Sequence, residues 1–397
     1  MELNDRKRHF WKGALVGALT TLLVVGVAIF MFRGMKSQGM DERTEEKLNQ
    51  LKSLVDQVYL YEDDVDEQEM QDGILAGYID SLKDPYSVYY NEQETKDLYE
   101  STSGKYTGIG VVLTQNLETN IITATQIYDG PAKEAGILEG DIIYKINGED
   151  ITSLSVSEVA QRVKGEEHTT VEVTVLRGED AKEITMEVER REIKVETISK
   201  EWREDNIGYI RITEFDTVTY NQFEDALEEF KKKGMEGLIL DVRANPGGNL
   251  LTVAKILDLL LPEGTIVYTE DKDGNRETLT SDEKHQLDIP MVVLADGNSA
   301  SAAEIFAGAI QDYEWGTIMG TTTYGKGIVQ KIIDLDDDTC VKLTIAEYFT
   351  PKGRSIHKKG VEPDIEVKYV YDEENPEADN QLEAAEKEVK KLMEKER

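Results

Sequence analysis

The chain has 397 residues, a net charge of −35, 39% apolar side chains and one cysteine. That is enough apolar material for two or three packed domains and too much for a disordered chain. The charge argues against nucleic acid as a partner, and a lone Cys340 excludes an internal disulfide and any multi-thiolate zinc or iron–sulfur site.

Residues 1–12 place Arg6, Lys7, Arg8 and Lys12 just ahead of an uncharged run from Gly13 to Phe32. As a helix that run would reach about 30 Å, the thickness of a bilayer core. The flanking cations predict a cytoplasmic N-terminus at 1–12, one transmembrane helix over 13–32 and an extracytoplasmic remainder, a single-pass protein of the cell membrane. A cleaved secretory signal is the competing reading, but the run exceeds the usual apolar length and no A-x-A site follows. Over 33–96, apolar spacing at Leu48, Leu51, Leu54, Val55 and Val58, then at Ile74, Leu75, Tyr78, Ile79 and Leu82, predicts a helical spacer broken by Asp84-Pro85.

Residues 97–190 change to short alternating strands at 109–113, 120–125, 141–146, 170–176 and 183–188, with Gly-Pro and Asn-Gly turns between them. Gly108-Ile109-Gly110-Val111 opens the first of these with two glycines, which lets main-chain N–H groups converge on an anion such as a carboxylate. An ordinary tight turn is the plainer reading of a GxG. The context is Gly130-Pro131-Ala132-Lys133-Glu134-Ala135-Gly136-Ile137-Leu138-Glu139-Gly140-Asp141, continuing to Ile146-Asn147-Gly148. It closely resembles the signature of PDZ domains. The resemblance implies capture of a free C-terminal carboxylate by the amides of Gly108, Ile109, Gly110 and Val111.

From 191 to 370 apolar strands alternate with helical stretches: GYIRI, a helix over 221–233, GLILDV, a helix over 250–261, TIVY, PMVVLA, a helix over 302–312, and TIMG. This pattern predicts an α/β core, a βαβ sheet covered by helices. The remainder, 371–397, reads as an acidic, charged helical tail that is solvated or packed.

In the core, Asp296-Gly-Asn-Ser-Ala-Ser301-Ala302-Ala303-Glu304 enters a helix from a strand and can expose a hydroxyl. Ser301 with Glu304 also reads as a helix capping box that needs no chemistry. A serine nucleophile requires a base. The four histidines, His9, His168, His285 and His357, lie in poor contexts for a triad, which leaves a desolvated lysine. Lys326 in Gly325-Lys326-Gly327-Ile328-Val329-Gln330 is the candidate, because no acidic residue lies between Trp315 and Lys331. Its amine must lose about three pKa units to act near neutrality. Gln330, four residues on in a strand, shares its face and can orient it. The overlapping G-x-x-x-x-G-K from Gly320 lacks the P-loop hydroxyl, since Gly327 follows the lysine. The turn Asn245-Pro246-Gly247-Gly248 after LILDV should meet Ser301 at one sheet edge, so the amides of Gly247 or Gly248 with that of Ala302 could receive an oxyanion.

Together with Ser81-Leu82-Lys83-Asp84-Pro85-Tyr86-Ser87, these segments resemble the carboxyl-terminal processing peptidases, the Ser/Lys family related to tail-specific protease, from about Leu51 to Pro363. The resemblance implies that Ser301 is the nucleophile and that Lys326, 25 positions later, is the general base with Gln330 beside it. Two departures are Ala303, where many members have serine, and Lys164, in Arg162-Val163-Lys164-Gly165 where Arg-Gly is usual. The expectation is a membrane-anchored serine endopeptidase cutting exported proteins near their C-termini, without metal or organic cofactor. The alternative is a silent PDZ scaffold. A third reading, a penicillin-binding type Ser/Lys site, needs a lysine three residues after the serine, and Ser301 has none there. Expected partners are polypeptides with accessible C-termini and the membrane, with a homo-oligomer left open.

Overall fold

The computed structural model describes residues 41–396, divided into one unit ending at Gly73 and a second from Ile74 onward. In the first unit the helix Glu42–Val58 starts on Asp41, whose carboxylate accepts the Arg43 N–H. None of its residues is buried, and Leu51, Leu54 and Val58 are exposed.

The membrane expectation is corrected at this point. Among the described residues no helix is long and apolar enough to cross a membrane. The stretch 13–32 lies outside the described residues, so the single-pass location has no structural support and is withdrawn.

The second unit is built on a six-stranded sheet in the order Ile198–Arg203, Ile207–Ile212, Gly237–Asp241, Met291–Ala295, Thr317–Gly320, Ile365–Glu366. All neighbours pair in parallel except the first two. Alternation decides what covers each face. Leu238, Leu240, Met291 and Val293 point into a core with Phe223, Phe230, Leu257 and Phe306 from the helices Thr219–Lys233, Leu250–Asp258 and Ala302–Asp312. Ile239, Val292 and Leu294 point the other way, against Ala385, Val389 and Met393 of the C-terminal helix Asn380–Glu396. The charged tail is therefore a structural layer, its apolar stripe closing the sheet's second face. The same helix is pinned at its start by Arg243, which bonds Asp241 at 2.6 Å and Asp379 at 2.7 Å. Asp241 is fully buried and also accepts the Tyr209 hydroxyl at 2.8 Å. Removing one partner of a buried pair leaves the other charge uncompensated. Arg243→Met is accordingly expected to cost about 3–5 kcal/mol in urea unfolding, and an unchanged midpoint would contradict it.

A second sheet holds Val88–Tyr90, Cys340–Phe349, Gly264–Asp271 and Arg276–Ser281, with Ile328–Asp334 also paired to Cys340–Phe349. Two expectations shift here. The TIVY strand is not part of the βαβ order but one arm of an antiparallel hairpin, because Asp271 accepts the main-chain N–H groups of Asp273 and Asn275 and folds the turn. Residues 88–103, the end of the expected spacer and the start of the module expected from 97, supply a strand of this sheet and the helix Glu92–Ser103.

The module between the two sheets enters on Lys105–Gly108 and leaves on Arg191–Lys194, which pair side by side. Its strands Val111–Gln115, Ile122–Ile127, Ile142–Ile146, Thr170–Arg177 and Lys182–Glu189 surround a core of Ile122, Ile143, Val159, Val171 and Val173. The helix Val156–Val163 packs on that core and begins at a Ser155/Glu158 capping box.

Candidate active site

Residues 296–302 leave the central strand Met291–Ala295 and turn into the helix Ala302–Asp312. Ser301 sits at the turn with φ 54° and ψ −113°. A non-glycine residue there stores strain of order 1–3 kcal/mol and persists only if its surroundings enforce it. The enforcement is visible on both sides. The preceding Ala300 N–H donates to the Asn245 carbonyl at 2.9 Å, and the Ser299 hydroxyl donates to the Val242 carbonyl at 2.7 Å. On the other side Ser301 keeps the capping box with Glu304, whose carboxylate accepts the Ser301 N–H at 2.9 Å.

Glu304 does more than cap. It is fully buried, and its two oxygens also accept the Thr323 hydroxyl at 2.6 Å, the Gly325 N–H at 2.7 Å and the Lys326 N–H at 2.8 Å. The oxygen that receives the Ser301 N–H is the one that receives the Lys326 N–H. Tyr348, also buried, adds a second tie, its hydroxyl lying between the carbonyls of Ser301 and Lys326. Glycine permits the loop: a Cβ at Gly327 would come within 2.5 Å of the His357 nitrogen.

The turn after Asp241 completes the corner. A Cβ on Gly247 would lie 2.8 Å from the Ser301 Cβ and 3.0 Å from the Ala302 nitrogen, so only glycine fits against the serine. The Gly247 N–H donates to Asn245 at 2.8 Å. The N–H groups of Gly248 and Ala302 have no acceptor among the described residues. Ser301, Ala302, Gly248, Lys326 and Gln330 all line one cavity of about 710 Å³, which contains no histidine.

Lys326 is half-buried. Burial and then the charge of Lys342 push its amine below the ordinary lysine value, while Asp84 and Glu304 pull the other way. Its Nζ stands 4.6 Å from the centre of the Tyr86 ring. Among the described residues no hydrogen bond joins the Ser301 and Lys326 side chains. The Gln330 amide makes only long contacts, 3.4 Å to the Ile328 carbonyl and 3.4 Å to Thr344, and does not reach Lys326.

Gly108, Ile109, Gly110 and Val111 line a separate groove of about 170 Å³ in the small module. Lys164 forms part of its wall and is paired at 2.6 Å with Glu100 of the helix Glu92–Ser103. Sequence reasoning treated Glu304 only as a cap and passed over Tyr348 and Tyr86. The Asp-Pro-Tyr-Ser run contained Tyr86, but nothing local placed its ring under the lysine.

Comparison with known proteins identifies families for three segments of the chain. Residues 206–367 match peptidase family S41, 123–177 match the PDZ domain, and 31–95 match the N-terminal domain of the activating protease CtpB. The carboxy-terminal processing protease CtpA of Bacillus subtilis is 34% identical over 355 residues, covering 89% of this chain and 75% of that protein. The "probable CtpA-like serine protease" of Staphylococcus aureus strain COL is 31% identical over 377 residues, covering 92% of this chain and 75% of that protein. The solved photosystem II D1 C-terminal processing protease aligns with a TM-score of 0.48 at 28% identity, over 76% of this chain and 83% of its own.

Proposed function

The chain belongs to the carboxy-terminal processing serine peptidases of family S41, and on that premise we propose that it holds polypeptides by their free C-terminal ends in the PDZ groove and cleaves them through a Ser301/Lys326 acyl-enzyme. The observation that carries the reading is the buried Glu304 carboxylate, one oxygen of which binds the main chain of both residues. Two groups 25 residues apart are thereby fixed at one cavity wall.

In this reading neutral Lys326 takes the Ser301 proton as Oγ attacks the scissile carbonyl. The Gly248 and Ala302 N–H groups receive the oxyanion, and Gly247 provides clearance and not a donor. Collapse returns the proton to the leaving amine, and a water repeats the sequence to release the acyl group. The Lys326 arm reaches Ser301 by leaving the Tyr86 ring, a rotamer change, and Gln330 receives it there. The chemistry so written calls for no metal or organic cofactor.

A non-catalytic scaffold would keep peptide binding and lose everything else. The purified chain should take up a serine-reactive fluorophosphonate at Ser301 and cut a C-terminally free polypeptide, and Ser301→Ala should abolish both while retaining peptide binding. Cleavage that survives Ser301→Ala would remove the reading.

A further inference from the structure

Phe215 runs parallel to the glycine turn at the active corner. Its N–H donates to the Gly247 carbonyl at 2.8 Å, and its own carbonyl accepts the Asn249 N–H at 2.7 Å. The residues on either side of it, Glu214 and Asp216, line the same cavity as Ser301. Glu214 is exposed, whereas Asp216 retains only 4% of its accessible surface.

The Asp216 carboxylate is out of place by every ordinary criterion. Among the described residues no side chain or main-chain donor bonds it, and no cation pairs with it. Its main chain is satisfied by Thr219: the Asp216 N–H donates to the Thr219 hydroxyl at 2.9 Å, and the Asp216 carbonyl accepts the Thr219 N–H at 3.1 Å, which leaves the carboxylate itself without a partner among the described residues. One carboxylate oxygen lies 3.2 Å from where a Cβ at Gly104 would stand. Gly104 caps the C-terminal end of the helix Glu92–Ser103, the end that repels negative charge. Burial, followed by the neighbouring Glu214, raises the Asp216 carboxyl to about 7. Buried carboxylates are normally retained with a partner. Here the residue lines the same cavity as Ser301 and Lys326.

We propose that Asp216, with Glu214 at its rim, is a specificity subsite for a lysine or arginine side chain of the bound polypeptide, one main-chain layer away from the Gly247-Gly248 turn. The cation supplies the partner the buried carboxylate lacks, and the exposed Glu214 draws it in. Neither residue takes part in bond making. The proposal rests on reading the cavity as the peptide site.

The test uses the full chain carrying Ser301→Ala and fluorescent peptides with one common C-terminus. A single lysine is moved through six positions upstream, and each peptide is compared with its acetyllysine counterpart, which has the same shape without the charge. At one register the lysine peptide is expected to bind about tenfold more tightly, the scale of one charge-assisted hydrogen-bonded pair. Asp216→Asn should reduce that ratio to less than twofold, and Glu214→Gln should reduce it in part. Asp216→Asn should fold without loss of thermal stability, because it breaks no bond. Ratios within twofold at every position, or a preference that survives Asp216→Asn, would overturn the subsite. If the lysine preference is present but the intact chain cleaves none of these peptides, the subsite stands and the peptidase reading falls.

Discussion

Lys326→Met is expected to lower kcat/KM by at least about 10³-fold, within the range a positioned general base contributes, and to raise the melting temperature at neutral pH. The two effects share one cause. Burial and the Lys342 charge disfavour the ammonium form, so the folded chain binds this proton less well than the unfolded chain. The protonated lysine therefore destabilises the fold at low and neutral pH, and the penalty disappears as the pH rises past the ordinary lysine value of 10.5. Methionine fills the space without the charge. The melting-temperature gain of the variant should shrink accordingly as the pH approaches that value. Activity follows the same titration with the opposite profit, because the neutral amine is the working form. The rising limb of kcat/KM should lie below 10.5 and should move to higher pH in Lys342→Met, which deletes the second-largest cause of the depression. A limb that stays in place in Lys342→Met, or a Lys326→Met enzyme with undiminished turnover, would show that this lysine is not the base.

Much of the catalytic sheet was legible because burial on two faces leaves a plain record. LIL and MVVLA are apolar runs in fully buried strands, and their flanking helices carry one-sided apolar stripes. The PDZ strands were legible to within two residues, since alternation and turn residues coincide there. The C-terminal helix gave an ambiguous signal. Its stripe of Ala385, Val389 and Met393 is diluted by lysine and glutamate, and only the exposed apolar back of the sheet explains it. At the site, Ser301 and Lys326, which line one cavity, are conspicuous in the sequence because reactive residue types stand out between glycines and alanines. Glu304 was read as a cap because three of its four hydrogen-bond partners are supplied by segments distant in sequence, and spacing along the chain carries no trace of them. Asp216 went unnoticed for a related reason: one acidic residue among 80 has no distinguishing mark until its burial is known.

Glu304→Gln isolates that carboxylate's contribution. Four donors converge on its two oxygens: the N–H groups of Ser301, Gly325 and Lys326 and the hydroxyl of Thr323. Glutamine offers one acceptor oxygen and one NH₂, so in either orientation two donors face a donor. Each lost acceptor costs about 1–3 kcal/mol in a buried setting, and the loop bearing Lys326 should loosen against the Ser301 turn. The expected result is a fall in kcat of about 10²-fold, as for a comparable misplacement of reacting groups, with KM for a peptide substrate nearly unchanged. A second effect has the opposite sign. The Glu304 charge raises the Lys326 pKa, so its removal should shift the rising limb of the pH profile to lower pH while the plateau falls. A purely structural role would lower stability and leave that limb where it is. Glu304→Asp keeps the charge but shortens the reach, and should leave the limb in place while losing kcat. If Glu304→Gln retains full kcat, or if the two variants give the same limb, the carboxylate does not set the register between nucleophile and base.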